Sequence, residues 1–287
     1  AAPINFNGLV RQYYLRAGGH VGDIQVNLVD KHQRKDQSHA IATRVRPELQ
    51  AIGARFGANV KVVEVPPGPP VLSPIVAEVY GPDDAGRAEL ARRVAQAFAD
   101  TPDIVGIDTT LKEDAPRVFL RIHRSRAESL GIPVQVVAQT VYTALSGSDA
   151  AYLHDGHAKF AVPVRLQLPR EAQVGLDSVL ALPLKTANGR MVPLSELVTV
   201  ERGVIDQPHF TKNLLPVTYV VGDMAGELDS PLYGLFGIRG QLASAALPGT
   251  GALGEYWIHQ PSDPYRQYAI KWDGEWQITY ETFRDMG

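Results

Sequence analysis

The sequence contains no cysteine, which excludes thiol catalysis, thiolate metal sites and disulfides together. The lack also suits an oxidising compartment, where stray pairing would be a hazard. Methionine is scarce, at 3 residues, and the first is Met191. No apolar run approaches the ~20 residues of a membrane span. No signal peptide opens the chain, and its start at Ala1-Ala2-Pro3 reads as processed or cut out of something longer. Basic charge is not in excess. The formal net charge is −3 and no Lys/Arg cluster interleaves with aromatics, which argues against nucleic acid as a partner. Catalytic signatures are missing as well: there is no Gly-x-Ser-x-Gly elbow, HExxH or Walker loop.

What is present is a core-forming chain of 287 residues, 45% hydrophobic and 21% charged, which by length suggests roughly two domains. Residues 73–108 set its pattern. A short apolar strand, Ile75-Val-Ala-Glu-Val-Tyr80, leads into a turn at Gly81-Pro-Asp-Asp84, a helix from Ala85 to Asp100 and a strand at Ile104-Val-Gly-Ile107. Asp83 or Asp84 can cap the helix, Leu90, Val94, Ala97 and Phe98 recur at helical spacing, and Pro102 stops it. Strand, helix, strand in this order favours a parallel strand pair with the helix on one face.

The same unit is expected twice more. Residues 8–16 read as a strand and Asp23–Asp30 as a half-buried one, with Ile24, Val26 and Leu28 on one face. A helix over residues 36–56 follows, with Ile41, Val45, Leu49 and Ile52 as its stripe and a kink at Pro47, and Val60–Val65 returns as a strand. Pro66-Pro-Gly-Pro-Pro70 is a stiff spacer or a rigid surface loop. The third unit comprises Val217–Val221, a helix over residues 231–246 weakened by Gly234, Gly237 and Gly240, and a strand at Glu255–His259. Between the second and third units the pattern changes to short helices at 125–130 and 133–145 and to strands. Among these, Asn188-Gly189 marks a hairpin. The economical reading is α+β: repeated ferredoxin-like β-α-β layers with an inserted mixed α/β domain.

Site signals are sparse. Gly249-Thr-Gly251-Ala-Leu-Gly254 matches a dinucleotide pattern, but it follows a helix and precedes a strand, so it reads as a loop. His154-Asp-Gly-His157 has metal-compatible spacing on a turn, without a nearby third ligand. We therefore expect no catalytic residue, no metal ligand and no cofactor. Trp276, Tyr280, Phe283 and Met286 share one helical face near the end of the chain, which suits a membrane interface or packing on its own domain.

Several segments, in this order, carry a family resemblance. They are Ser73-Pro-Ile-Val-Ala-Glu-Val-Tyr-Gly-Pro-Asp83, Pro116-Arg-Val-Phe-Leu-Arg-Ile122, Arg126–Thr140, Asn188-Gly-Arg-Met-Val-Pro-Leu-Ser-Glu-Leu197 and Trp276–Gly287. Together they resemble the second large periplasmic loop of resistance–nodulation–division (RND) efflux pumps over nearly the whole chain. The resemblance implies a first porter subdomain at 1–72, a second split between 73–122 and 215–287, and a docking domain at 123–214. It implies a segment without transmembrane helices at the periplasmic face of the bacterial inner membrane. The partners implied are the rest of a homotrimeric parent pump, a periplasmic adaptor, an outer-membrane channel and a small-molecule substrate.

By the same resemblance, the substrate cleft would be lined by Val26 and by Ile75, Ala77 and Val79, with Tyr13 or Tyr14 in support, although ordinary core packing explains the face of Ile75, Ala77 and Val79 equally well. The switch loop would be Arg16-Ala-Gly18-Gly19-His20, which is short and lacks the phenylalanines of drug exporters. The docking hairpin would carry Asn188, Gly189 and Arg190. Met191, Met224 and Met286 lie outside the matched cleft strands. That favours export of hydrophobic or amphiphilic compounds over soft-metal export. A heavy-metal pump, for which His20 beside Asp23 is the one tempting pair, and a soluble periplasmic binding or sensor module are the alternatives.

Overall fold

The computed structural model describes residues 20–64, 71–154, 156–173, 175–226, 230–244 and 253–287. The expected strand at 8–16 and the proline segment 66–70 lie outside these. The chain divides into two compact units, residues 1–113 with 207–287, and residues 114–206 inserted between them. The insertion thus begins before the strand at 116–122 and ends at 206, where the sequence had suggested 123 and 214.

In the first unit, a helix (α1, Ser38–Ala54) precedes a strand (β1, Ile75–Tyr80), a helix (α2, Asp84–Ala99) and a strand (β2, Ile104–Thr109). α2 forms as its sequence predicts. Asp83 accepts a hydrogen bond from the Gly86 N–H at 2.7 Å, and Leu90, Val94, Ala97 and Phe98 are the buried side. At the far end, the Thr101 hydroxyl donates to the Ala97 carbonyl, and Asp103 turns the chain with φ 65°.

The inserted unit contributes β3 (Pro116–Ile122), α3 (Arg124–Ser129), α4 (Val134–Ser146), β4 (Ser148–Leu153), β5 (Val162–Leu166), α5 (Arg170–Gln173), α6 (Leu176–Leu180), β6 (Pro183–Lys185), β7 (Met191–Pro193) and β8 (Val198–Val204). The chain returns to the first unit through β9 (Phe210–Lys212) and β10 (Leu215–Met224), followed by α7 (Pro231–Ser244), β11 (Gly254–Tyr256), β12 (Ala269–Gly274) and α8 (Glu275–Met286).

The central sheet runs β11-β12-β1-β10-β2, with β9 paired to the start of β10. β10 is antiparallel to both β1 and β2, so those two strands are parallel but not adjacent. β1 is likewise antiparallel to β10 and β12 and lies between them. Each β-α-β crossover is therefore split by a strand of the other, which is the ferredoxin-like arrangement. β1 and β2 are thus the parallel pair that the strand-helix-strand order implied, with a strand from after the insertion lying between them. The third unit's closing strand is β12 rather than 255–259, and β11 adds only a short parallel edge.

One face of this sheet makes the main core. Ile75, Ala77, Val79, Val220, Ile270 and Trp272 pack with Leu90, Val94 and Phe98 of α2 and with Leu235 and Ile238 of α7. Gly234 explains how α7 comes so close. A Cβ there would stand 2.6 Å from Met224 Sδ and 2.9 Å from both Ile75 Cδ1 and Ile104 Cδ1. The glycine that weakens the helix locally is what lets it lie on the sheet.

Residues 20–64 depart from expectation. Asp23–Asp30 pairs with no strand, and Ile24 and Val26 are 89% and 73% exposed. A period-two pattern needs a partner strand to become a ladder, and none of the described residues supplies one. α1 continues without a break across Pro47, and its buried line is Ala42, Arg46 and Gly53, while Leu49 and Ile52 face solvent. Residues 59–64 are not a strand, but Asn59 donates to the Ile107 carbonyl at 3.1 Å and Lys61 pairs with Asp108.

In the inserted unit, β3 and β8 form an antiparallel ladder from Pro116↔Val204 to Ile122↔Val198. Its core gathers Ala127, Ile132, Val137, Val179, Leu184, Val192, Leu194 and Leu197. The hairpin expected at Asn188-Gly189 joins β6 to β7. Thr186 N–H donates to the Arg190 carbonyl at 2.8 Å, and the Thr186 hydroxyl donates to Asn188 Oδ1 at 2.6 Å.

Candidate functional site

Of the residues expected to form a cleft, those that the structure describes do not gather. Ile75, Ala77 and Val79 are wholly buried on the sheet face closed by α2 and α7, so the alternation read as a cleft wall is here the packing period of the core. Val26 stands on the exposed segment that joins no strand ladder, and His20 is exposed in a turn. Tyr13, Tyr14, Arg16, Gly18 and Gly19 lie outside the described residues. Asn188, Gly189 and Arg190 form the exposed tip of the β6–β7 loop. His154 is exposed, and Asp155 lies outside the description. Among the described residues no group of three or more His, Asp or Glu is placed to hold a metal ion.

The polar chemistry of the first unit sits on the other face of the central sheet. Pairing puts Tyr219 of β10, Glu78 of β1 and Lys271 of β12 in one cross-strand row. Tyr80 and Asp273 lie two residues along their strands and so share that face. Glu78 and Tyr80 are wholly buried, and Lys271 is 1% exposed. Lys212 reaches in from β9 and bridges two carboxylates. Its ammonium donates to Glu78 Oε1 and, at 2.5 Å, to Asp273 Oδ2. The Tyr80 hydroxyl donates to Glu78 Oε2 at 2.7 Å. Lys271 Nζ lies 3.7 Å from the same oxygen and donates to Gln277 Oε1 of α8 at 2.9 Å.

Two carboxylates and two ammonium groups cancel in charge, which is the condition for burying them. Their environments nonetheless push them apart. Burial raises the Glu78 carboxyl above its ordinary range and a hydrogen bond with Asp273 adds to this, against the charges of Lys271 and Lys212. Burial acts upward on Asp273 too, but the bond from Glu78 and the Lys212 charge overcome it and bring that carboxyl down to about 2. Burial works against the Lys212 charge, yet Glu78 and Asp273 raise its pKa above the lysine range. The Tyr219 hydroxyl is pushed up to about 12, by burial first and then by Glu78. When the pair holds one proton, Glu78 carries it and Asp273 accepts.

This cluster is absent from the sequence reading. Its signal was a charge inside an apolar strand: Glu78 within Ile75–Tyr80, and Lys271 within Ala269–Gly274. A second concentration in this unit is aromatic. Trp257 packs, tilted or edge-on, against Phe236, Trp272 and Trp276 with ring centroids 6.0, 6.0 and 5.2 Å apart, and Trp276 continues to Tyr280 at 6.4 Å. Beyond it, α8 leaves Phe283 and Met286 exposed, on the face the sequence marked as amphipathic. No described helix is long and apolar enough to cross a membrane.

The described architecture is a split ferredoxin-like sheet interrupted in sequence by a compact inserted unit. The structure is similar to two crystal forms of a heavy metal efflux pump, each with TM-score 0.56, at 17% and 16% identity. The likeness covers 81% and 82% of this chain and 23% of the pump chain in both cases. The chain belongs to the AcrB/AcrD/AcrF family, whose model matches residues 4–229; this is the RND family that the sequence resembles. Among curated relatives, it is 32% identical over 126 residues to the nickel and cobalt resistance protein CnrA of Cupriavidus metallidurans, covering 44% of this chain and 11% of that one. It is 28% identical over 133 residues to the nickel-cobalt-cadmium resistance protein NccA of Alcaligenes xylosoxydans xylosoxydans, covering 45% of this chain and 12% of that one. The chain thus spans a small part of each relative. By name these are resistance proteins and an efflux pump, not enzymes.

Proposed function

We propose that the chain is the periplasmic segment of a proton-driven RND efflux pump and acts by passing and docking rather than by catalysis. The observation that carries this is the family match across residues 4–229, joined to a fold shared with an efflux pump. In this reading the first unit holds the two porter subdomains and the inserted unit is the docking domain. The Asn188-Gly189-Arg190 tip, exposed and braced by Thr186, meets the outer-membrane channel. The parent pump is a homotrimer at the inner membrane, working with a periplasmic adaptor.

For the cargo we favour divalent transition-metal cations, on the names of the two curated relatives. Export of hydrophobic or amphiphilic compounds is the second reading, supported by the exposed row Ile24, Val26 and Leu28. The test is the complete gene that contains this segment, expressed in a bacterium stripped of its own RND exporters. Raised tolerance to nickel, cobalt or cadmium supports the cation reading, and raised tolerance to hydrophobic dyes or detergents supports the other. Growth unchanged by either, with the protein present in the membrane, refutes efflux by this protein.

A further inference from the structure

β9 is a short edge strand of the first unit. It is three residues long and pairs only with Leu215–Val217. The turn that joins it to β10 carries Asn213 and Leu214 at φ 52° and 65°, and Leu214 is 90% exposed. Phe210 packs beside Tyr80, Val217 and Ala269. The strongest hold is Lys212, whose ammonium is shared by Glu78 of β1 and Asp273 of β12. β9 is also the first strand formed after the chain returns from the inserted unit at 207.

The groups facing this lysine come from every strand packed around it: Glu78 and Tyr80 from β1, Tyr219 from β10, and Lys271 and Asp273 from β12. Suppose the lysine withdraws. Among the described residues, Lys271 is then the cation left beside the two carboxylates, of which Glu78 is wholly buried, and like charges so placed take up a proton. The reverse also holds by linkage: a proton entering the pair makes the lysine's charge surplus there.

We propose that Lys212 is a proton-coupled latch, in which a proton taken up between Glu78 and Asp273 replaces the ammonium and frees β9 from the sheet. The exchange balances. One proton moves from solvent to the Glu78 carboxylate, Asp273 accepts a hydrogen bond from it, and the Lys212 ammonium leaves still charged for water. The neutral charge sum of the cluster is lost if both cations stay, and is restored when Lys212 departs, leaving Asp273 with Lys271. Release of β9 lengthens the segment that connects the two units. The latch does not depend on which cargo is carried.

The test is amide hydrogen exchange on the full chain at neutral and at mildly acidic pH, with rates corrected for intrinsic chemistry. Protection of the β9 amides is expected to fall about tenfold on acidification, while β1 and β12 keep theirs. Glu78→Gln, which mimics the protonated acid, should show weak β9 protection at both pH values. Lys212→Met should do the same and needs no change in the sheet centre, so it serves even where Glu78→Gln does not fold. Equal β9 protection at both pH values in the wild type overturns the latch. So does a Lys212→Met chain whose β9 stays as protected as before.

Discussion

Gly274 is the point at which the sheet hands over to α8, and replacing it by alanine should strongly destabilise the first unit. The residue has φ 116° and ψ −153°, a region essentially closed to residues with a Cβ. Holding alanine there costs about 1–3 kcal/mol. The added Cβ would also sit 2.3 Å from the Pro74 carbonyl oxygen and 2.9 Å from its carbon. That oxygen belongs to the backbone entering β1 and accepts from Glu275 N–H at 3.1 Å, so it cannot step aside without loosening a bond that contributes about 0.5–1.5 kcal/mol. The total is about 3 kcal/mol, a large share of the ~5–15 kcal/mol typical of a domain. Urea unfolding followed by tryptophan fluorescence measures it. All 3 tryptophans, at 257, 272 and 276, lie in the first unit, so the signal reports that unit. The control is Gly240→Ala, where nothing lies within 4 Å of the new Cβ and helix propensity favours alanine by about 1 kcal/mol. A Gly274→Ala chain that loses less than about 1 kcal/mol, or that gains as Gly240→Ala should, would show that the β12–α8 junction is not built this way.

Three further outcomes are expected. Trp272→Ala, at 1% exposure in the main core, should cost about 3–5 kcal/mol in the same urea experiment, read by circular dichroism. Arg121→Ala removes the paired bonds to Glu201 at 2.6 and 2.8 Å, yet both groups are solvent-facing and screened, so the chemical-unfolding midpoint of the inserted unit should barely move. In pH-dependent unfolding of the first unit, Glu78 has a folded pKa above its unfolded value of 4.5, so its contribution is full below that value and is lost as pH rises through the folded pKa. Asp273, lowered to about 2 from 3.8, contributes above 3.8 and loses its share as pH falls toward 2. Tryptophan-detected stability should therefore peak between the two, and Glu78→Gln should remove the decline on the alkaline side.

The sequence was most legible where local signals and burial agree. α2 carries its cap at Asp83, its stripe from Leu90 to Phe98 and its stop at Pro102, and each is found in place. The Asn188-Gly189 hairpin is similar, because a turn is decided by its own residues. Pairing partners were not legible. β10 fills the gap between β1 and β2 from more than a hundred residues away, and no local pattern announces which strand will do so. The period of Ile75, Ala77 and Val79 told that they share a face, but not whether a helix or a cleft lies over it. The ionic cluster was hidden for the same reason: Glu78, Lys212, Lys271 and Asp273 meet only through tertiary pairing. Segment 23–30 shows the converse, a strand-like alternation that joins no ladder among the described residues.

The zipped entry and exit of the inserted unit also govern the order in which a ribosome can deliver this fold. Pro116 pairs with Val204, and everything between them is complete once residue 206 has emerged. By then β1 has been waiting since residue 75 for neighbours that begin only at 215 and 269. The insertion can thus finish folding while the central sheet is still a set of unmatched edges, and nascent-chain handling must protect β1 through that interval.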